Sequence, residues 1–250
     1  MRLAPDITVW TVALETDGGA DWRQLRPLLD TSERERGDRF VFERHQRAHV
    51  VAHALKRLML SAVTGTAPQS WKFETGLAGK PRVHPEGRPR FNVTHSERLV
   101  ACAVSRDLEV GVDVEPIKRK PAFETARAHF AETEQRWICG LPESDQVNGF
   151  LRLWTLKEAF LKATGLGLAQ PLHSFSFAFE PVRVCFHDPK LGNSQAWHFE
   201  QREIDEHFLA VAWRQDLPKS SVEIREMRLQ TLLTQWLGCG SVSITSRECQ

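Results

Sequence analysis

The first clear pattern along the chain is Ile7-Thr8-Val9-Trp10-Thr11-Val12-Ala13-Leu14, an alternation rich in β-branched residues that predicts a strand. Thr31-Ser32-Glu33-Arg34-Glu35 then offers an N-cap with early acids, so a helical stretch is expected through about Leu60. In its second part Val50, Ala54, Leu55, Leu58 and Met59 share one stripe, a core face, and Gly65 and Pro68 stop it. Residues 76–90, rich in Gly, Pro and charge, read as loop. Strands follow near 91–94, 100–104 and 108–115, and 116–121 reads as a linker. The order then repeats, with helices near 122–130 and 150–163 and strands rich in Phe, Val and Trp to about Trp213. Residues 224–237, with Leu229, Leu232, Leu233, Trp236 and Leu237 before Gly238, predict an amphipathic helix with a glycine stop.

An internal echo accompanies that repeated order. Ala62-Val63-Thr64-Gly65 stands 100 residues before Lys162-Ala163-Thr164-Gly165, and Pro68 and Pro171 precede aromatic strands starting near Trp71 and Phe175. The pattern predicts an α+β protein duplicated in two similar halves. The expected divisions are 1–112, 113–225 with the site at the seam, and 226–250 as a helix and tail.

Composition narrows the field. A chain of 250 residues can bury a core without metal or disulfide staples. Its 33 Lys+Arg against 32 Asp+Glu leave a net charge of +1, so bulk affinity for nucleic acid is not expected. Cys102, Cys139, Cys185, Cys239 and Cys249 are scattered without a C-x-x-C pair, which suits a reducing cytoplasm. No apolar run approaches the ~18 residues of a membrane span, and the N-terminus lacks a signal-peptide core.

The candidate chemistry begins in Leu108-Glu109-Val110-Gly111-Val112-Asp113-Val114-Glu115. Period two puts Val110, Val112 and Val114 on one strand face and Gly111, Asp113 and Glu115 on the other. Two carboxylates about 7 Å apart on one face repel unless a cation joins them, and a hard divalent ion with oxygen ligands answers that need. The glycine beside them is expected to leave room for a ligand. In the helix around 150–163, Trp154, Glu158 and Lys162 recur at i, i+4 and i+8 and form one stripe. Joined to Asp113 and Glu115, Glu158 makes a third carboxylate; such a set can hold a metal, activate a hydroxyl and neutralise a phosphate oxygen. Groups suited to phosphate come from the arginines between Arg34 and Arg47, from Gly79-Lys80-Pro81-Arg82, and from Phe91-Asn92-Val93-Thr94-His95-Ser96. The stripe His45, His49, His53 lacks a nearby carboxylate or Cys and reads as a solvent face.

These motifs, in this order, make the chain resemble the Sfp-type 4′-phosphopantetheinyl transferases, which activate carrier proteins. The resemblance runs from about Ser32 to Phe177, through E-R-E-R-x3-F-V-F-E-R, G-K-P, F-N-V-T-H-S, G-V-D-V-E and W-x-x-K-E-A-F-x-K-A-x-G-x-G-L. It implies a pseudo-two-fold α+β fold with coenzyme A between the halves. It implies transfer of 4′-phosphopantetheine to a serine of an apo acyl or peptidyl carrier protein, releasing 3′,5′-ADP, as a holo-[acyl-carrier-protein] synthase does. By position Asp113, Glu115 and Glu158 match the family's ligands for Mg²⁺, with Mn²⁺ as a substitute. Lys80, Thr94 and His95 match its coenzyme A phosphate contacts, Arg36 its nucleotide cation and Lys162 its pyrophosphate lysine. Thr94 replaces the family's usual Ser and keeps the hydroxyl. Glu158, Lys162 and Asp113 are thus the candidate catalytic residues, in a monomer that binds neither nucleic acid nor membrane.

Two other readings of the same residues stand beside it: a nuclease-like phosphoryl-transfer enzyme, and a module that binds carrier protein or coenzyme A without turnover. Lys118, Arg119, Lys120, Arg127 and Arg136, interleaved with Phe123, Phe130 and Trp137, form either a dock for an acidic carrier protein or a solvated linker and helix.

Overall fold

The computed structural model describes residues 6–14, 20–76, 79–85, 87–119, 128–216 and 221–240, and within them the chain runs twice through one order of elements. The first pass is β1 (Ile7–Ala13), α1 (Thr31–Asp38), α2 (Glu43–Thr64), β2 (Phe73–Thr75), β3 (Pro81–Val83), β4 (Arg90–His95) and β5 (Leu99–Ser105). The second is β6 (Val110–Pro116), α3 (Glu132–Gly140), α4 (Glu143–Thr164), β7 (Phe175–Ala178), β8 (Arg183–Phe186), β9 (Trp197–Ile204) and β10 (His207–Arg214). β11 (Val222–Arg228) and α5 (Leu229–Gly240) follow. The α+β architecture of two similar halves is therefore as the sequence pattern predicts. No helix among the described residues is long and apolar enough to cross a membrane.

The sheets repeat as well. One has the order β11-β1-β5-β4 and the other β6-β10-β9, with β1 antiparallel to β5 as β6 is to β10. α2 packs with Trp10, Val12, Val100 and Cys102 in one core, and α4 packs with Phe208, Ala210 and Ala212 in a second. Between the sheets Ile7 and Val9 meet Val110, Val112, Val114 and Val211 in a third. The valines of β6 thus face inward, which turns Gly111, Asp113 and Glu115 toward α4.

The helix ends explain the sequence echo. α2 and α4 are both 22 residues long, and each is stopped by a left-handed glycine, Gly65 at φ 79° and Gly165 at φ 70°. A deeper repeat was not visible in the pattern. Glu33 on α1 takes Arg57 of α2 at 2.7 Å, while Glu134 on α3 takes Lys157 of α4 at 2.9 Å. Each acid also accepts the backbone N–H that precedes its helix, from Asp30 and from Ala131. Each cation goes on to donate to two carbonyls of the segment after its helix, Pro68 and Trp71 for Arg57, Leu172 and Phe175 for Lys157. Both charges are buried, and the donated bonds are what makes that burial tolerable.

Several expectations are corrected. The first helical stretch is broken at 39–42, and its N-cap is Asp30, whose carboxylate accepts from Glu33 N. The predicted loop 76–90 contains β3, paired with β2. The helix expected near 122–130 lies largely outside the described residues; its described end, 128–130, is not helical, and α3 begins later. The segment 224–237 is not one helix: its first part is β11, parallel to β1, and only its second part is helical. β11 and α5 pack on the first half, with Leu229, Leu232 and Leu233 in its core. The histidine stripe is not a solvent face. His49 is buried with Nε2 against Glu33 O, and His53 Nδ1 lies 2.8 Å from Glu33 Oε1.

Candidate functional site

Where the two halves meet, β4 and β6 run close together. Asn92 Oδ1 accepts from Val112 N at 2.8 Å, so a side chain replaces a sheet bond across the seam. Two residues on, Thr94 Oγ1 donates to Asp113 Oδ1 at 3.1 Å. α4 closes the third side because Gly111 has no side chain: a Cβ there would stand 2.1 Å from Ala159 O and 2.4 Å from Ala163 N. The space predicted beside Gly111 for a ligand is filled by the helix backbone instead. That close approach is what brings Trp154, Glu158 and Lys162 over β6.

The stripe on α4 then reads out residue by residue. Trp154 Nε1 donates to Glu115 Oε1 at 3.0 Å. Lys162 Nζ donates to Asp113 Oδ1 at 2.5 Å and to Thr94 Oγ1 at 3.0 Å. Glu158 stands between them, and Arg119 pairs with the second oxygen of Glu115. All these groups except Trp154 line one cleft of about 680 Å³, together with His95, Ser96 and His207.

The electrostatics show a site crowded with negative charge. Burial, then the charge of Asp113, pushes the Glu158 carboxyl above its ordinary range, with Lys162 opposing. Glu115 is also raised, by burial first and by Asp113, against the hydrogen bond from Arg119. His95 is lowered by desolvation of its ring and then by the charge of Lys162. Asp113 is buried, and its Oδ2 takes no hydrogen bond from any described residue. An orphaned carboxylate oxygen flanked by two further acids fits an oxygen-coordinated divalent cation. Among the described residues, however, no three His, Cys, Asp or Glu side chains stand grouped to hold a metal ion. Lys162 and Arg119 engage two of the three acids directly.

The sequence-derived set is thus brought together in part. Asp113, Glu115, Glu158, Lys162, Thr94 and His95 converge on the cleft. Lys80 lines an adjoining pocket with Asn92, Glu158 and Lys162, and its Nζ donates to Ala163 O, Val110 O and Glu109 Oε2, which ties α4 to β6. Arg36 is exposed on α1 and does not line the cleft. In the segment read as a dock, Lys118 pairs with Glu206, Arg119 with Glu115, and Phe130 is buried in the second core, so it offers no exposed anchor. Lys120, Phe123 and Arg127 lie outside the described residues. Asn92, Ser96 and His207 were missed as site residues, and only the run F-N-V-T-H-S hinted at the first two.

Comparison with known proteins gives two adjoining matches. The family described as the 4′-phosphopantetheinyl transferase superfamily matches residues 109–212. The one described as 4′-phosphopantetheinyl transferase, N-terminal, matches residues 17–107. They meet at the link from β5 to β6. The chain is similar to the 4′-phosphopantetheinyl transferase HetI of Nostoc sp., 29% identical over 213 residues, covering 84% of this chain and 87% of that protein. It is 31% identical over 154 residues to a 4′-phosphopantetheinyl transferase of Bacillus subtilis, covering 61% of this chain and 67% of that protein. The human L-aminoadipate-semialdehyde dehydrogenase-phosphopantetheinyl transferase is 26% identical over 242 residues, covering 86% of this chain and 78% of that protein.

Proposed function

The chain belongs to the 4′-phosphopantetheinyl transferase family, and from that premise we propose that its cleft transfers the 4′-phosphopantetheine of coenzyme A to a serine of an apo acyl or peptidyl carrier protein. The observation that carries this reading is the meeting of Asp113 and Glu115 on β6 with Glu158 and Lys162 on α4, at the seam between the halves.

The serine hydroxyl attacks the phosphorus that carries pantetheine, its bond to 3′,5′-ADP breaks, and the serine proton leaves to a base. Glu158 suits the base, because burial and the charge of Asp113 raise its affinity for a proton. In this reading Lys162, now on Asp113, shifts to the pyrophosphate and stabilises charge on the departing ADP. Thr94 and His95, at the end of β4, present a hydroxyl and an imidazole to phosphate oxygens. Asp113, Glu115 and Glu158 would hold Mg²⁺ or Mn²⁺. Bound there, such an ion supplies charge neutralisation for the pyrophosphate. We place the reaction in the cytoplasm, in keeping with the free thiols of Cys102 and Cys185.

The test is mass spectrometry of an apo carrier protein incubated with this protein, coenzyme A and Mg²⁺. A mass gain of one phosphopantetheine is expected, and an unmodified carrier overturns the reading. Fatty-acid and peptide-synthetase carriers tried side by side show which class is served. Cleavage of DNA by the same preparation would favour a nuclease instead.

A further inference from the structure

Ser96 and His207 come from opposite halves and meet on the wall of the cleft, with Ser96 Oγ donating to His207 Nε2 over 2.8 Å. His207 Nδ1 lies 2.5 Å from the carbonyl of Asp205. A carbonyl only accepts, so the ring proton sits on Nδ1 and leaves Nε2 as the acceptor. Ser96 Oγ also accepts from the backbone N–H of Leu99 at 3.0 Å and of Arg98 at 3.2 Å. The carbonyl of Leu99 lies farther from Ser96 Oγ, at 3.3 Å, so the one hydroxyl proton goes to His207, and the two accepted bonds complete the hydroxyl's capacity. The pair therefore looks like a nucleophile and its base, but the oxygen has no lone pair free for attack.

Its position suggests a different task. Ser96 directly follows Thr94 and His95, the phosphate-facing end of β4. His207 is buried at the start of β10, where it pairs with Pro116, and its neighbour Phe208 pairs with Glu115. A second tie runs beside the first, since Glu206 takes Lys118 at 2.5 Å and Arg98 at 3.4 Å. The β9–β10 turn that presents these groups holds Asp205 at φ 47° and Glu206 at φ 58°, a left-handed backbone uncommon outside glycine. Contacts on both sides fix that turn in place.

We propose that Ser96 and His207 form a positioning pair that sets the spacing between the phosphate-binding end of β4 and the carboxylates of β6, and thereby the affinity for coenzyme A. The proposal rests on the transferase reading. It is tested in the full chain with Ser96→Ala, His207→Phe, their double variant and Ser96→Thr. The readouts are thermal melting, kcat and KM for coenzyme A, and calorimetric Kd for coenzyme A without carrier protein. Each single loss is expected to raise KM and Kd about tenfold. The double variant should be no worse than either single, because both remove the same bond. Ser96→Thr, which keeps the hydroxyl, should stay within about twofold of the unsubstituted chain. A lower melting temperature with KM and Kd unchanged would mean a merely structural bond and overturn the proposal, as would losses that multiply in the double variant. If His207→Phe does not fold, Ser96→Ala against Ser96→Thr decides alone. An unsubstituted chain that binds coenzyme A but modifies no carrier defeats the transferase reading, while the Kd series still judges the pair. One that does not bind coenzyme A defeats both.

Discussion

At the scale of single residues, the site depends on where charge is left uncompensated. Asp113 is buried, holds Lys162 and Thr94 with one oxygen, and leaves the other without a partner. Asp113→Ala is expected to cut transfer to below a tenth of the unsubstituted rate, a loss of at least ~1.4 kcal/mol in transition-state stabilisation, with the circular dichroism spectrum unchanged. Turnover above that level would remove Asp113 from the ligand set. His53 makes a separate prediction, about pH. Burial lowers it from 6.5 to about 4, with Glu33 opposing. Folded His53 is therefore neutral where the unfolded chain already takes up a proton. Its contribution is complete above pH 6.5 and falls as pH drops toward 4. Glu33 is held far below its ordinary 4.5, so its stabilisation is present above that pH and is lost on further acidification. Denaturant titrations from pH 7 to 4 should show a loss of roughly 2–3 kcal/mol, largely absent in His53→Gln. An equal slope in that variant would assign the loss to other groups.

At the scale of elements, the contact of α4 with β6 makes the site, and Gly111 permits it. A Cβ at that position meets the backbone of Ala159 and Ala163, which cannot rotate away as a side chain could. Gly111→Ala should cost roughly 1–3 kcal/mol of stability by overpacking. It should also lower transfer more than tenfold in the fraction that folds, because Glu158 and Lys162 ride on the displaced helix. Melting curves with transfer assays on the same preparation check both effects; unchanged transfer would show that the helix position is not critical. Lys80 belongs to this scale too. The sequence marks it as a cation in a G-K-P turn, yet it staples α4 to the first residue of β6.

At the scale of the whole molecule, the chain returns at its end to the half where it began. β11 pairs with β1, and Leu229, Leu232 and Leu233 are each no more than 2% exposed within the first core. Ending the chain at Arg214 uncovers the β1 edge and removes those three side chains, about 5 kcal/mol or more of apolar burial. That approaches the whole stability of an ordinary domain. The truncated protein is expected to be insoluble or unfolded by circular dichroism, and a folded, active product would refute the assignment of β11 and α5 to the first half.

Much of this was legible in the sequence because it is local. Period-two alternation set which face of β6 carries Asp113 and Glu115, and period 3.6 set Trp154, Glu158 and Lys162 on one side of α4. The T-G pairs at 64–65 and 164–165 marked two helix ends of one kind, and with them the duplication. Other features needed the tertiary structure, because they depend on partners distant in the chain. Whether 224–228 is helix or strand turned on the free edge of β1, which no local pattern reports. Whether Gly111 makes room for a ligand or for a helix depended on what packs against it. The buried pairs Glu33–Arg57 and Glu134–Lys157, and the meeting of Ser96 with His207, join side chains 23 to 111 positions apart in the chain. Periodicity gives each of these residues a face, and only the packed fold gives it a neighbour.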